Sequence, residues 1–134
     1  MGTVFDILTI AGNFPDGAET MLIDTRLTDE PEASSRVFRV YTNVPPHYHG
    51  TCDEYLFVVA GRALFSIGEA APAEVRPGQL VFFKKGVVHA IRPIEGEPLV
   101  FLSVDTPRRD PRDIIFVNPA DGTPDTFVET RKLY

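Results

Sequence analysis

Residues 41–61 read YTNVPPHYHGTCDEYLFVVAG, and the second half of this stretch decides the architecture. After Glu54 the apolar residues run unbroken to Ala60. Side chains alternate across a strand, so Glu54, Leu56 and Val58 share one face and Tyr55, Phe57 and Val59 the other. Both faces are apolar and neither is free to face water. One lines a core, and the other packs on a second sheet or on another subunit. Gly61 supplies the positive φ of a tight turn, so 54–67 reads as a hairpin that continues into Ala63–Ile67.

Working outward, the same punctuation repeats. Ten glycines and twelve prolines are spread along the chain and cut it into short pieces rich in Val, Ile, Phe and Tyr. Val37–Thr42, Gln79–Phe83, His89–Pro93, Pro98–Val104 and Ile114–Val117 read as strands, with turns at Pro77-Gly78 and Glu95-Gly96. Val4–Ile10 is expected to be a further strand. Ala18–Glu30 has the length of a helix, but Met21, Ile23, Thr25 and Leu27 alternate, so a strand is preferred. Many short strands at this spacing predict an all-β sandwich or barrel. At 134 residues the chain, 1–134, is expected to form one domain. Its C-terminal extension, 107–134, is expected to wrap the body or a partner subunit.

Thirteen basic against nineteen acidic residues give a net charge of −6, which argues against nucleic acid as a partner. No apolar run approaches the roughly 18 residues of a membrane helix. The first twenty residues lack Lys and Arg, so no signal peptide is expected. Cys52 is the one cysteine, which excludes an internal disulfide and fits a reducing compartment. A cytoplasmic protein is the expectation.

The chain has three histidines, His47, His49 and His89. The spacing of His47 and His49 puts both imidazoles on one face of a strand. Glu54 follows after a short turn, and His89 opens another strand just past Gly86. Imidazole and carboxylate donors suit Fe, Mn, Co, Ni, Cu or Zn, and leave positions open for water or substrate. Taken singly, each residue also has an ordinary structural reading.

Together with the glycines, these residues resemble the two motifs of the cupin superfamily. His47, His49, Glu54 and Gly61 match the first at its spacing; Gly78, Gly86 and His89 match the second. Tyr41, Lys84 and Pro93 stand where the pattern has Gly, Pro and Asn. The motifs span residues 41–93. The resemblance implies a double-stranded β-helix, a jelly-roll barrel, with His47, His49, Glu54 and His89 holding one divalent transition metal ion (Fe, Mn, Ni, Co or Zn). It also implies a homodimer, which would cover the second apolar face of 54–60.

Such a site supports a dioxygenase, or an isomerase or lyase, acting on a small polar metabolite, with the dioxygenase placed first. A non-catalytic sensing or small-molecule-binding module is the rival. Beyond the ligands, Arg39 and Tyr41 share strand parity with His47 unless Pro45-Pro46 breaks the register. Tyr41 is a candidate proton donor and Arg39 an anion clamp. Cys52, between His49 and Glu54, is a candidate thiol nucleophile, and Phe83 and Phe101 are expected to line the pocket.

Overall fold

The computed structural model describes residues 2–134. Its strands are β1 (Leu22–Glu30), β2 (Ala33–Val40), β3 (Val44–Tyr48), β4 (Asp53–Ala60), β5 (Ala63–Ile67), β6 (Ala73–Val75), β7 (Leu80–Phe83), β8 (His89–Pro93), β9 (Leu99–Thr106), β10 (Ile115–Phe116) and β11 (Val128–Thr130). Two short α-helices, α1 (Ile7–Ala11) and α2 (Pro124–Phe127), and a 3-10 turn at Pro119–Asp121 complete it. No helix among the described residues is long and apolar enough to cross a membrane.

The strands form a six-stranded sheet, β11-β1-β2-β9-β4-β7, and a five-stranded sheet, β10-β3-β8-β5-β6. Their inner faces enclose one core. Phe38, Leu56, Val58, Leu99 and Phe101 come from the first sheet, and Val44, Ala63, Phe65 and Ile91 from the second. This is an all-β barrel, as the strand spacing predicted, with the double-sheet jelly-roll form that the resemblance implied.

The six-stranded sheet is apolar at one end of its inner face and polar at the other. The same parity that points Phe38 and Val40 inward points Ser34 and Arg36 inward, and Ser103 and Asp105 follow Phe101 in the same way. All four polar residues are buried. The barrel thus carries a packed floor and a polar chamber above it.

The N-terminal expectation needs correction. Val4–Ile10 is not a strand: Asp6 caps the short helix α1, its side chain accepting from the Thr9 amide at 3.1 Å. Helix α1 lays Ile10 against Ile23, Val37 and Val100, on the outer side of the six-stranded sheet. That cover explains why β1 is a strand, as expected, yet buried on both faces over Leu22–Thr25. Strand β4 behaves differently. Glu54, Leu56 and Val58 are buried, but Tyr55 and Phe57 on its outer face are 38% and 39% exposed, with no second sheet over them among the described residues.

Gly61 sits in the β4–β5 turn at φ +78°, and a Cβ there would stand 2.5 Å from the Pro98 carbonyl oxygen and 2.7 Å from Leu99 Cα. Both contacts are to backbone and cannot swing away. Gly61→Ala is therefore expected to lose about 2–3 kcal/mol, from the left-handed backbone and the displacement of β9. Urea unfolding of the metal-free protein measures this, and a loss below about 0.5 kcal/mol would contradict it.

Candidate metal centre

Strand β3 delivers His47, the loop after it His49, and the first residue of β8 His89. The β3–β8 ladder pairs Val44 with Ile91 and His47 with His89, so β3 carries one extra residue between those rungs. The extra residue falls at Pro45-Pro46, where proline has no N–H to give a ladder and a bulge costs little. A regular strand would point Val44 and His47 to opposite faces. The bulge turns both inward, at 1% and 2% exposure.

All three rings are held alike. Nδ1 of His47 lies 2.8 Å from the Pro45 carbonyl oxygen, Nδ1 of His49 lies 2.7 Å from that of Asp113, and Nδ1 of His89 lies 3.0 Å from that of Val87. A carbonyl only accepts, so each ring donates from Nδ1 and turns Nε2 away from the backbone, and a ring in its neutral form keeps its lone pair on Nε2. One ligand atom from each ring lies within 4.8 Å of the other two, so the three can hold a metal ion. Phe83 stacks on His89 with centroids 3.8 Å apart, walling one side.

Glu54 faces the imidazoles from the other sheet. Its Oε1 stands 3.4 Å from His49 Nε2 and 4.0 Å from His89 Nε2. Its Oε2 accepts from Ser103 Oγ at 2.9 Å and, at a long 3.5 Å, from Arg36 Nη2. Arg36 Nη1 donates in turn to Asp24 Oδ2 at 3.0 Å, and Thr130 on β11 donates to the other oxygen of Asp24. Beside this chain lies Asp105, paired across the β4–β9 ladder with Glu54. It accepts from Arg109 Nε at 3.4 Å and lies 3.9 Å from the Cys52 thiol.

The electrostatics follow from burial and from these neighbours. Burial holds His47 well below the ordinary histidine range and His89 down to about 4, with the neighbouring imidazoles adding to both. Burial opposes ionisation of Glu54, but His49, Arg36 and Arg109 outweigh it and hold the carboxyl well below its usual range. Asp105 goes the other way. Burial and the charge of Glu54 push it up to about 8.

The site extends beyond the residues expected from sequence. Arg36, Ser103 and Asp105 share inward parity with core residues, a signal present in the sequence but unread. Asp113 gave no such signal. It lies in the C-terminal extension, and its carboxylate accepts from the amides of Gly50 and Thr51 at 2.8 and 3.0 Å while its carbonyl holds His49.

Other expectations are corrected. Arg39 and Tyr41 lie on the outer face of the six-stranded sheet, away from the imidazoles. Both donate to the Pro15 carbonyl, at 3.1 and 2.7 Å, because parity with Phe38 and Val40 forces them outward and the bulge breaks their register with His47. Cys52 is buried, and burial with Asp105 and Glu54 alongside pushes its thiol far up, so it is a protonated thiol rather than a nucleophile. Phe83 stacks on the His89 ring, beside the three imidazoles. Phe101, fully buried and stacked on Phe38 with centroids 5.2 Å apart, belongs to the core floor.

The sequence profile of the cupin domain matches residues 38–105. This chain belongs to the cupin family. No curated protein matches it in sequence. Among solved structures, this cupin resembles an uncharacterised double-stranded β-helix protein from Klebsiella pneumoniae subsp. pneumoniae MGH 78578 at TM-score 0.67 and 18% identity, covering 81% of this chain and 92% of that one. KdgF from Halomonas sp. gives a TM-score of 0.61 at 21% identity, covering 71% and 88%. The DMSP lyase DddQ from Ruegeria pomeroyi DSS-3 gives 0.58 at 26% identity, covering 67% of the cupin but only 45% of the lyase.

The buried imidazoles make the metal-free cupin sensitive to acid. An unfolded histidine takes up its proton near pH 6.5, whereas folded His89 does so only near 4. Between those values the unfolded chain binds more protons, so stability falls as pH is lowered. His47 acts in the same direction and Asp105 in the opposite one, which calls for a differential measurement. His89→Gln should lose less melting temperature between pH 7 and pH 5 than the unaltered protein, as read by circular dichroism. An equal or larger loss would show that His89 is not held neutral.

Proposed function

We propose that this cupin holds one divalent transition metal ion with His47, His49, His89 and Glu54, and isomerises or cleaves a small polar metabolite. The observation that carries this reading is the common setting of the imidazoles, each with Nδ1 bound to a backbone carbonyl and one ligand atom from each within 4.8 Å of the others. Second partners of this kind fix ring orientation and tautomer in metal sites. The donor set suits Fe, Mn, Co, Ni or Zn. When bound, the ion supplies a Lewis acid that stabilises negative charge on a substrate oxygen.

The chain's own groups supply the rest. Ser103 and Arg36 fix one oxygen of Glu54, which leaves the other turned toward His49 and His89. Asp105 holds a proton into the neutral range and stands across the ladder from Glu54, in place to give or take a proton. Phe83 keeps water from the His89 side. The proton-holding Asp105 favours isomerase or lyase chemistry over the dioxygenase placed first from sequence, because those reactions move a substrate proton. The likeness to a DMSP lyase points the same way.

A homodimer is part of this reading. Tyr55 and Phe57 on β4, with Leu80 and Phe82 on the neighbouring edge strand β7, form an outer apolar face with exposures of 38%, 39%, 60% and 45%. A second copy of the chain would cover it.

Elemental analysis of protein purified without added metal, with oxygen uptake measured alongside, tests the site. The expected result is about one transition-metal equivalent per chain and no oxygen consumption. Glu54→Gln should weaken metal retention by at least roughly tenfold. Metal-free native protein, or unchanged retention in the variant, would sink the reading, and oxygen uptake would return the dioxygenase to first place. For the dimer, Phe82→Glu is expected to halve the mass seen by light scattering; a native protein that is already monomeric would refute it.

A further inference from the structure

The adjacent arginines of the C-terminal extension part company. Arg108 turns outward to Asp29, with Nε 2.6 Å from Oδ1 and Nη2 3.2 Å from Oδ2. Arg109 turns into the barrel. Its amide donates to Ser34 Oγ at 3.1 Å, its Nε reaches Asp105 at 3.4 Å, and the residue is 1% exposed. Its Nη1 and Nη2 are buried and have no hydrogen-bond partner among the described residues. Burying a guanidinium with both terminal nitrogens unpaired is among the costlier arrangements a fold can hold. The nearby carboxylates do not relieve it: Glu54 is taken by Arg36 and Ser103, and Asp24 by Arg36 and Thr130.

We infer that Arg109 is the anion-binding element of the site and takes the carboxylate of a small organic acid. A guanidinium presents paired N–H groups in a planar fork that matches two carboxylate oxygens. The charge count points the same way. Buried Arg36, Arg109 and a divalent ion bring four positive charges against two from Asp24 and Glu54, with Asp105 holding its proton, which leaves positive charge for an anion to balance. The Nη pair has no contact with bulk solvent, so an ion pair formed there is weakly screened. Arg109 and Glu54 both adjoin Asp105, so an anchored carboxylate leaves the remainder of a small acid close to the imidazoles. The inference rests on the proposed metal site only for that last orientation and for the divalent ion in the charge count; the orphaned fork stands without either.

Formate is the probe, titrated into metal-free protein at constant ionic strength against chloride, with melting temperature and ¹³C-formate line broadening as readouts. The expected result is a saturable, formate-specific rise in melting temperature that Arg109→Met abolishes. Where Arg109→Met does not fold, Arg109→Lys keeps the charge without the fork and should bind formate at least tenfold more weakly. An absent formate response in the native protein, or an equal one in the variants, overturns the inference whatever the metal result. Loss of metal from His47→Gln with the formate response retained would separate the two sites.

Discussion

One buried carboxylate joins the two halves of this protein. Glu54 belongs to the six-stranded sheet, yet Oε1 turns toward imidazoles carried by the other sheet and its loop, while Oε2 is tied back to Ser103 and Arg36. Placed in an apolar interior alone, such a group would take up a proton. The cations and donors around it keep it ionised instead. The relay through Arg36 and Asp24 to Thr130 on β11 spreads that one requirement across the sheet.

The arrangement divides the barrel interior in two. The floor, from Phe38 to Phe101 and Phe65, is packed aromatic and aliphatic surface of the kind that stabilises any domain of this size. The chamber above it is polar, and buried ion pairs repay little of their desolvation. It gathers groups held in set states: His47 and His89 kept below the ordinary histidine range, a carboxylate held charged, a second carboxyl held with its proton and a guanidinium with its fork unpaired.

The C-terminal extension takes part in the site. Its first residues send Arg109 into the chamber, and Asp113 then binds both the loop 49–51 and the His49 ring. Strand β10 pairs with β3 beside His47, and Phe116 and Phe127 pack on the His47 ring with centroids 5.7 and 5.5 Å away. It wraps the body, and in doing so it completes the cradle of two of the three imidazoles.

Alternation and turn chemistry determined the strand-rich barrel and the tight turn at Gly61, because period-two patterning is a local property, and motif spacing with the resemblance it carries singled out the three histidines that the fold brings together. Local signals misled at Val4–Ile10, where a capping Asp6 and the cover that α1 makes over Ile23 and Val37 outweighed β-propensity, and at 54–67, where the Gly61 turn joins strands of different sheets rather than the two arms of a hairpin. Only the tertiary structure decided the remainder. Arg39 and Arg36 look alike in sequence, as do Arg108 and Arg109, yet one of each pair faces outward and the other is buried in the chamber. Which is which depends on the face of the sheet each strand turns inward, and on a one-residue bulge at Pro45-Pro46 that resets the parity of β3. The parity of Arg36 with Phe38 and Val40 is local and stands in the sequence, whereas the face that is turned inward, the bulged pairing of β3 with β8 and the turn of Arg109 into the chamber are relations between residues far apart in the chain.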